Sequence, residues 1–163
     1  MSKNLVVYYS LTGNTKFIAE SIIESIDADI LELKPTKELK AEGSMKYMWG
    51  GAQAVMKKKP KLEEFDLNPL DYDLIFLGTP VWAWRYSPPI RSFISKFNLT
   101  GKNVALWMCC GGNGIKSMER FKDALKEANI VGDICFQEPL QQESEDIKKK
   151  SRAWALEVIQ RIG

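Results

Sequence analysis

Six residues near the amino end, Ser10-Leu11-Thr12-Gly13-Asn14-Thr15, carry the densest set of groups that could hold an anion. Ser10, Thr12 and Thr15 offer hydroxyl donors to phosphate oxygens, and Gly13 lets the backbone wrap closely because it has no Cβ. The apolar run Leu5-Val6-Val7-Tyr8-Tyr9 precedes them and a helical pattern follows, so they read as a loop between a strand and a helix N-terminus. Such a terminus exposes unpaired N–H groups and the positive end of the helix dipole. The same residue types also build ordinary turns and helix caps, so this stretch alone leaves an anion site and a plain cap both open. It is not a Walker loop, because Lys16 does not directly follow a glycine, and it lacks the three spaced glycines of a dinucleotide fingerprint.

Two further stretches have chemical character. Thr79-Pro80-Val81-Trp82-Ala83-Trp84 brings indoles to the end of a second apolar run, and Cys109-Cys110-Gly111-Gly112-Asn113-Gly114 closes a third with flexible backbone. The chain has no histidine, which removes a serine or cysteine nucleophile with a histidine base and any imidazole metal site. The chemistry therefore points to a cofactor. Cys109 and Cys110 could form a redox pair, but adjacent cysteines make a strained disulfide, and buried structural thiols are the commoner state.

The elements that must position these loops alternate along the 163 residues. Residues 3 to 9 are continuously apolar and suit a central strand covered on both faces. Ile18, Ala19, Ile22 and Ile26 recur at helical spacing from Asn14 onward, and Ala28 to Leu33 makes an outer strand. Asp73 to Gly78 and Lys102 to Met108 are further buried strands. Between them lies a helix with Ile90, Phe93, Ile94 and Phe97 on one face, opened by Pro88-Pro89 with Ser87 as its cap. A helix bearing Met118, Phe121, Leu125 and Ala128, a strand from Ile130 to Phe136, and a helix from about Gln142 that buries Trp154, Val158 and Ile162 complete the chain. Residues 36 to 64 suit a short interrupted helix, in which Trp49 beside Gly50-Gly51 is a weak site candidate. The pattern predicts one α/β domain over residues 1–163, a three-layer sandwich with a five-stranded parallel sheet. If the strand order is 2-1-3-4-5, the hydroxyl and indole loops flank the switch point where such sheets bind ligands. A ligand with a phosphate at one end and a flat aromatic system at the other would suit them.

In this order the three motifs resemble the flavodoxin family over essentially the whole chain: Ser10-x-Thr12-Gly13-x-Thr15 after the first strand, Gly78-Thr79-Pro80-Val81-Trp82 after the third, and the glycine-rich turn after the fourth. The resemblance implies a flavodoxin-like sheet of order 2-1-3-4-5 with helices on both faces, and flavin mononucleotide (FMN) as cofactor. It implies that Ser10, Leu11, Thr12, Gly13, Asn14 and Thr15 hold the phosphate. Thr79, Pro80, Val81, Trp82, Ala83 and Trp84, with Cys110, Gly111 and Gly112, would line the isoalloxazine, Trp82 or Trp84 stacking on or edging the ring. Arg85 is then expected beside the ring, where its cation would favour a reduced anionic flavin.

Two functions follow from that resemblance: an electron carrier needing no catalytic side chain, or an FMN-dependent NAD(P)H or quinone oxidoreductase acting on a small acceptor. The partner is accordingly a redox protein or a small-molecule electron acceptor. A phosphoacceptor receiver domain is disfavoured, because Leu77-Gly78-Thr79 stands where its aspartate is needed. A thiol phosphatase would need an arginine where Lys116 stands. A net charge of +2 lacks the field of a dedicated nucleic-acid binder, and the runs Lys57-Lys58-Lys59 and Lys148-Lys149-Lys150 have acidic neighbours and read as solvated faces. It also lacks the strongly acidic surface with which electron-transfer flavodoxins typically dock their partners. No apolar run approaches the ~20 residues of a membrane helix, and no signal peptide pattern opens the chain. With the odd cysteine count, these features give a cytoplasmic expectation. The pattern leaves monomer and homodimer open.

Overall fold

Every residue of the first strand, β1 (Asn4–Tyr8), is buried, as befits a strand with helices on both faces. In a computed structural model that describes residues 2–37, 52, 56–142 and 145–163, it is followed by α1 (Asn14–Ile23), β2 (Asp29–Glu32) and a 3-10 turn (Pro69–Asp71). Next come β3 (Leu74–Trp82), β4 (Arg85–Tyr86), α2 (Pro88–Lys96), β5 (Asn103–Cys110), α3 (Ile115–Ala124), β6 (Asn129–Gln137), α4 (Pro139–Gln142) and α5 (Glu145–Ile162). The long strands pair in parallel in the order β2-β1-β3-β5-β6. With the two-residue β4 set aside, this is the expected order.

β4 is the departure from an all-parallel sheet. It turns back on the end of β3, pairing Val81 with Tyr86 and Trp82 with Arg85. The two intervening residues, Ala83 and Trp84, both have positive φ, at 48° and 57°. Such a turn matches strand twist and is ordinarily marked by Asn-Gly or Asp-Gly; Ala-Trp gives no such signal, so sequence reads a loop.

Alternation along the strands builds two cores. Val7, Ile75, Leu77, Leu106 and Met108 face one way and pack with Ile90 and Phe93 of α2 and Met118 and Phe121 of α3. Val6, Phe76, Ala105 and Trp107 face the other way, against Ile18 and Ile22 of α1 and Trp154 and Val158 of α5. The helical stripes expected from spacing are thus the packed ones. Gly78 belongs to this second packing problem: a Cβ there would stand 2.0 Å from the fully buried Trp107 indole. Strand β3 can pass beneath that indole only without a side chain.

Some boundaries shift. Ser87 does sit at the N-cap of α2, but its hydroxyl makes no cap hydrogen bond; it meets Thr79 Oγ1 at 3.0 Å. The last long helix begins at Glu145, after the separate turn α4. The interrupted helix expected over 36–64 falls largely on residues 38–51 and 53–55, including Trp49, which lie outside the described residues. Lys57, Lys58 and Lys59 are exposed. Among the described residues, no helix is long and apolar enough to cross a membrane.

Candidate functional site

The chain leaves β1 into a loop whose polar groups are arranged before any ligand arrives. Ser10 Oγ accepts two backbone N–H bonds, from Gly13 at 3.1 Å and Lys16 at 3.2 Å. Its own hydrogen stays free to donate outward. Gly13, the N-cap of α1, takes φ 100°, a conformation that side chains disfavour. Behind it the first-turn N–H groups of Asn14 and Thr15 have no helical carbonyl to bind. The Thr15 side chain is 1% exposed, and its Oγ1 makes no hydrogen bond of acceptable geometry. A buried hydroxyl without a partner costs free energy unless something else satisfies it. Its neighbour is the Cys109 thiol, which burial drives far above the ordinary thiol range, the Thr15 hydroxyl acting weakly in the opposite direction.

Across the carboxyl edge of the sheet, Leu11, Thr12 and Asn14 face Pro80, Val81 and Trp82 and the turn at Cys109, Cys110 and Gly111 over a cleft of about 330 Å³. This is the size of a small-molecule site, at the switch point between β1 and β3. Trp82 is buried and stands edge-on to Tyr9, with ring centroids 5.6 Å apart. Trp84, at the hairpin tip, is 66% exposed. Its carbonyl accepts a 2.8 Å bond from Arg120 Nη1, which ties the strained turn to α3.

Of the residues expected at the site, the structure brings Leu11, Thr12, Asn14, Pro80, Val81, Trp82, Cys110 and Gly111 to one cleft. Ser10, Gly13 and Thr15 form the loop and helix start beneath it. Ala83 and Trp84 form the hairpin tip beyond it, and Gly112 is exposed on the glycine-rich turn. The Thr79 side chain is turned away: it is fully buried, accepts the Ser87 N–H at 2.9 Å, and so fixes the start of α2. Arg85 does not line the cleft either. It borders a separate cavity of about 400 Å³ with Lys57, Tyr86, Arg91 and Arg120.

A fourth loop at this edge escaped the sequence reading. Glu138, directly after β6, lines the cleft with φ 40°. Its N–H bonds the Cys110 carbonyl at 3.0 Å. Two residues on, the Leu140 N–H donates to Asn14 Oδ1 at 2.9 Å, so Asn14 clamps the first loop to the last. Pro139 marked a break after the strand, but nothing local marked Glu138 as facing a ligand. A non-glycine residue with positive φ just before a proline is strained, and such strain gathers at functional sites.

A doubly wound parallel sheet with a hydroxyl-rich helix start, an indole hairpin and a glycine-rich turn around one cleft defines a nucleotide-binding α/β domain. The chain belongs to the flavodoxin family, whose model matches residues 3–148. Similar solved structures share this fold. A flavoprotein from Lactobacillus acidophilus NCFM in complex with FMN is 24% identical, with a TM-score of 0.73 over 88% of this chain and 97% of that one. Oxidised flavodoxin 2 from Bacillus cereus is 20% identical, with a TM-score of 0.65 over 98% and 99%. A WrbA-like flavodoxin from Agrobacterium tumefaciens is 15% identical, with a TM-score of 0.64 over 99% of each chain. A comparison with curated protein sequences returned no match.

Proposed function

We propose that this protein binds FMN in the cleft between the loops after β1, β3, β5 and β6, and works in electron transfer. The observation that carries the reading is the buried, unpartnered Thr15 hydroxyl at a helix start, facing the same edge as Pro80 and Trp82. An anion seated on Ser10, Thr12, Gly13, Asn14 and Thr15 would satisfy that hydroxyl and the free N–H groups together. Pro80 to Trp82, with Cys110 and Gly111, would bound the flat ring system. The relative crystallised with FMN supports the same assignment.

Bound flavin supplies the one- and two-electron chemistry; the side chains supply position and field. Ser10 and Thr15 orient the phosphate, Gly13 keeps the backbone near it, and Trp82 restricts water at the ring. Glu138 is the one acidic or basic side chain lining the described cleft. Its charge opposes the added negative charge of reduction. This sparse inventory favours a carrier whose partner is another redox protein.

A small-molecule reductase is the second reading, and the cavity behind the hairpin favours it. Lys57, Arg85, Arg91 and Arg120 converge there against Glu119 and Asp123, a cationic surface suited to an anionic donor such as NAD(P)H. The deciding experiment begins with the absorption spectrum of the protein before and after excess FMN and its removal. Retained flavin bands are expected; no retained flavin overturns both readings. NAD(P)H consumption with a panel of quinones then separates them. Little turnover is expected of a carrier, whereas rapid turnover establishes the reductase.

A further inference from the structure

The expected cysteine relation was between the neighbours Cys109 and Cys110, but the structure separates them. Along a strand, adjacent side chains point to opposite faces. Cys109 accordingly packs in the α1 and α5 core. The partner of Cys110 is instead Cys135 on the next strand, with the two sulfurs 3.0 Å apart. The register explains this. Cys110 is paired with Gln137 and Cys135 with Met108, so the two thiols are diagonal neighbours on one face of the β5–β6 ladder. All three cysteines are free thiols.

We propose that Cys110 and Cys135 form a redox-active dithiol, a site of reversible disulfide formation by hydrogen peroxide in the wall of the cleft. A disulfide has an S–S length of about 2.05 Å, so closure brings the sulfurs about 1 Å nearer. The backbone that must give is suited to it. Cys110 ends β5 and runs into Gly111-Gly112-Asn113-Gly114, of which Gly111 and Gly112 are exposed. Gly114 is also what makes room for the pair, because a Cβ there would stand 2.5 Å from Cys135 Sγ.

The roles of the two sulfurs differ. Cys110 lines the cleft while only 8% exposed, which admits an oxidant the size of water better than a bulky disulfide. Its pKa lies below the ordinary thiol range because Cys135 donates a hydrogen bond to its thiolate, and the Cys135 pKa is raised for the same reason. Cys110 is therefore the attacking thiolate and Cys135 holds the proton. The Cys110 sulfur attacks one peroxide oxygen, the O–O bond breaks, and hydroxide leaves, giving a sulfenic acid. Cys135 sulfur then attacks Cys110 sulfur; the S–S bond forms, the S–O bond breaks, and the hydroxyl leaves as water with the Cys135 proton. Two thiols lose two electrons, and one peroxide becomes two waters. A small dithiol reverses the reaction by exchange.

The test is near-stoichiometric peroxide on the full chain, read by intact mass, thiol titration and peptide mapping. The expected result is loss of the mass of two hydrogens, a fall from three titratable thiols to one, a mapped Cys110–Cys135 link, and full recovery with dithiothreitol. Cys109→Ala should behave identically. Cys135→Ser should stop at a sulfenic acid on Cys110 that a dimedone-type probe captures. A link through Cys109, oxygen added at Cys110 with Cys135 still free, or three unreacted thiols would overturn the proposal. The wild-type mapping alone decides this if a variant fails to fold. A parallel arm saturated with FMN should oxidise several-fold more slowly; this protection rests on the FMN reading of the cleft. Peroxide chemistry in the ligand-free protein does not, so the two can fail separately.

Discussion

The loop after β1 and the hairpin after β3 face each other across the cleft, yet they reach unusual backbone geometry by opposite means. In the first, the left-handed position is given to Gly13, and Ser10 ties up the surrounding N–H groups. The turn costs little strain and leaves a hydroxyl and two amides unsatisfied. In the second, the left-handed positions are Ala83 and Trp84, each costing on the order of 1–2 kcal/mol relative to glycine. That strain is offset by cross-strand pairing and by the Arg120 bond to the Trp84 carbonyl. An anion site needs many small donors in a close backbone, which glycine permits. The hairpin presents an exposed indole, which glycine cannot.

Removing the first loop's solution should have the largest effect. Gly13→Ala places a Cβ at φ 100° and 3.0 Å from Leu140 Cδ1, so about 2 kcal/mol of stability should go in urea unfolding. FMN affinity should fall with it, because the same backbone contacts the phosphate. The opposite change in the hairpin should go the other way. Replacing Ala83-Trp84 by Asn-Gly relieves both strained residues and should add roughly 1–2 kcal/mol. If the double variant is no more stable, the hairpin is not strained in the sense argued here. If it also binds FMN unchanged, Trp84 has no part in the site.

How far each region was legible in sequence follows the same division. Ser10, Thr12, Gly13 and Thr15 announced their loop because their types match its chemistry. The buried strands and helical stripes were legible because burial on two faces imposes a period that residues such as Ile18, Ile22, Phe93 and Phe121 obey. The hairpin was not, because Ala83-Trp84 contradicts the local preference for its turn, and only pairing across β3 and β4 overrides it. The Cys110–Cys135 contact and the cleft position of Glu138 depend on how β5 and β6 are registered, including the shift between Val104 and Ala105. No local window contains that information. Thr79 illustrates the converse, a motif residue whose backbone borders the cleft region while its side chain serves the buried bond to Ser87.

Thr15 separates stability from binding. Thr15→Val keeps the shape but removes the unsatisfied hydroxyl, so the ligand-free protein should gain about 1 kcal/mol. FMN affinity should fall roughly tenfold or more, since a hydrogen bond to a charged group is worth about 1.5–3 kcal/mol. Calorimetric titration beside thermal unfolding would show the two opposed signs. A variant that is more stable and binds equally well would place the phosphate elsewhere.

The smallest expected effect is electrostatic and concerns the loop that joins both regions. Glu138→Gln keeps the side-chain length, the backbone turn and the N–H bond to the Cys110 carbonyl. Only the charge changes. Reduction adds negative charge at the ring, and a carboxylate in the same cleft raises the cost of that charge. Neutralising it should therefore raise the reduction potential of bound FMN by something on the order of tens of millivolts. Added salt should shrink the difference only partly, because a half-buried charge in a cleft is incompletely screened. An unchanged potential at low ionic strength would mean that Glu138 lines the cleft away from the ring. The strain at its backbone would then serve the clamp between Asn14 and Leu140 rather than the redox properties of the site.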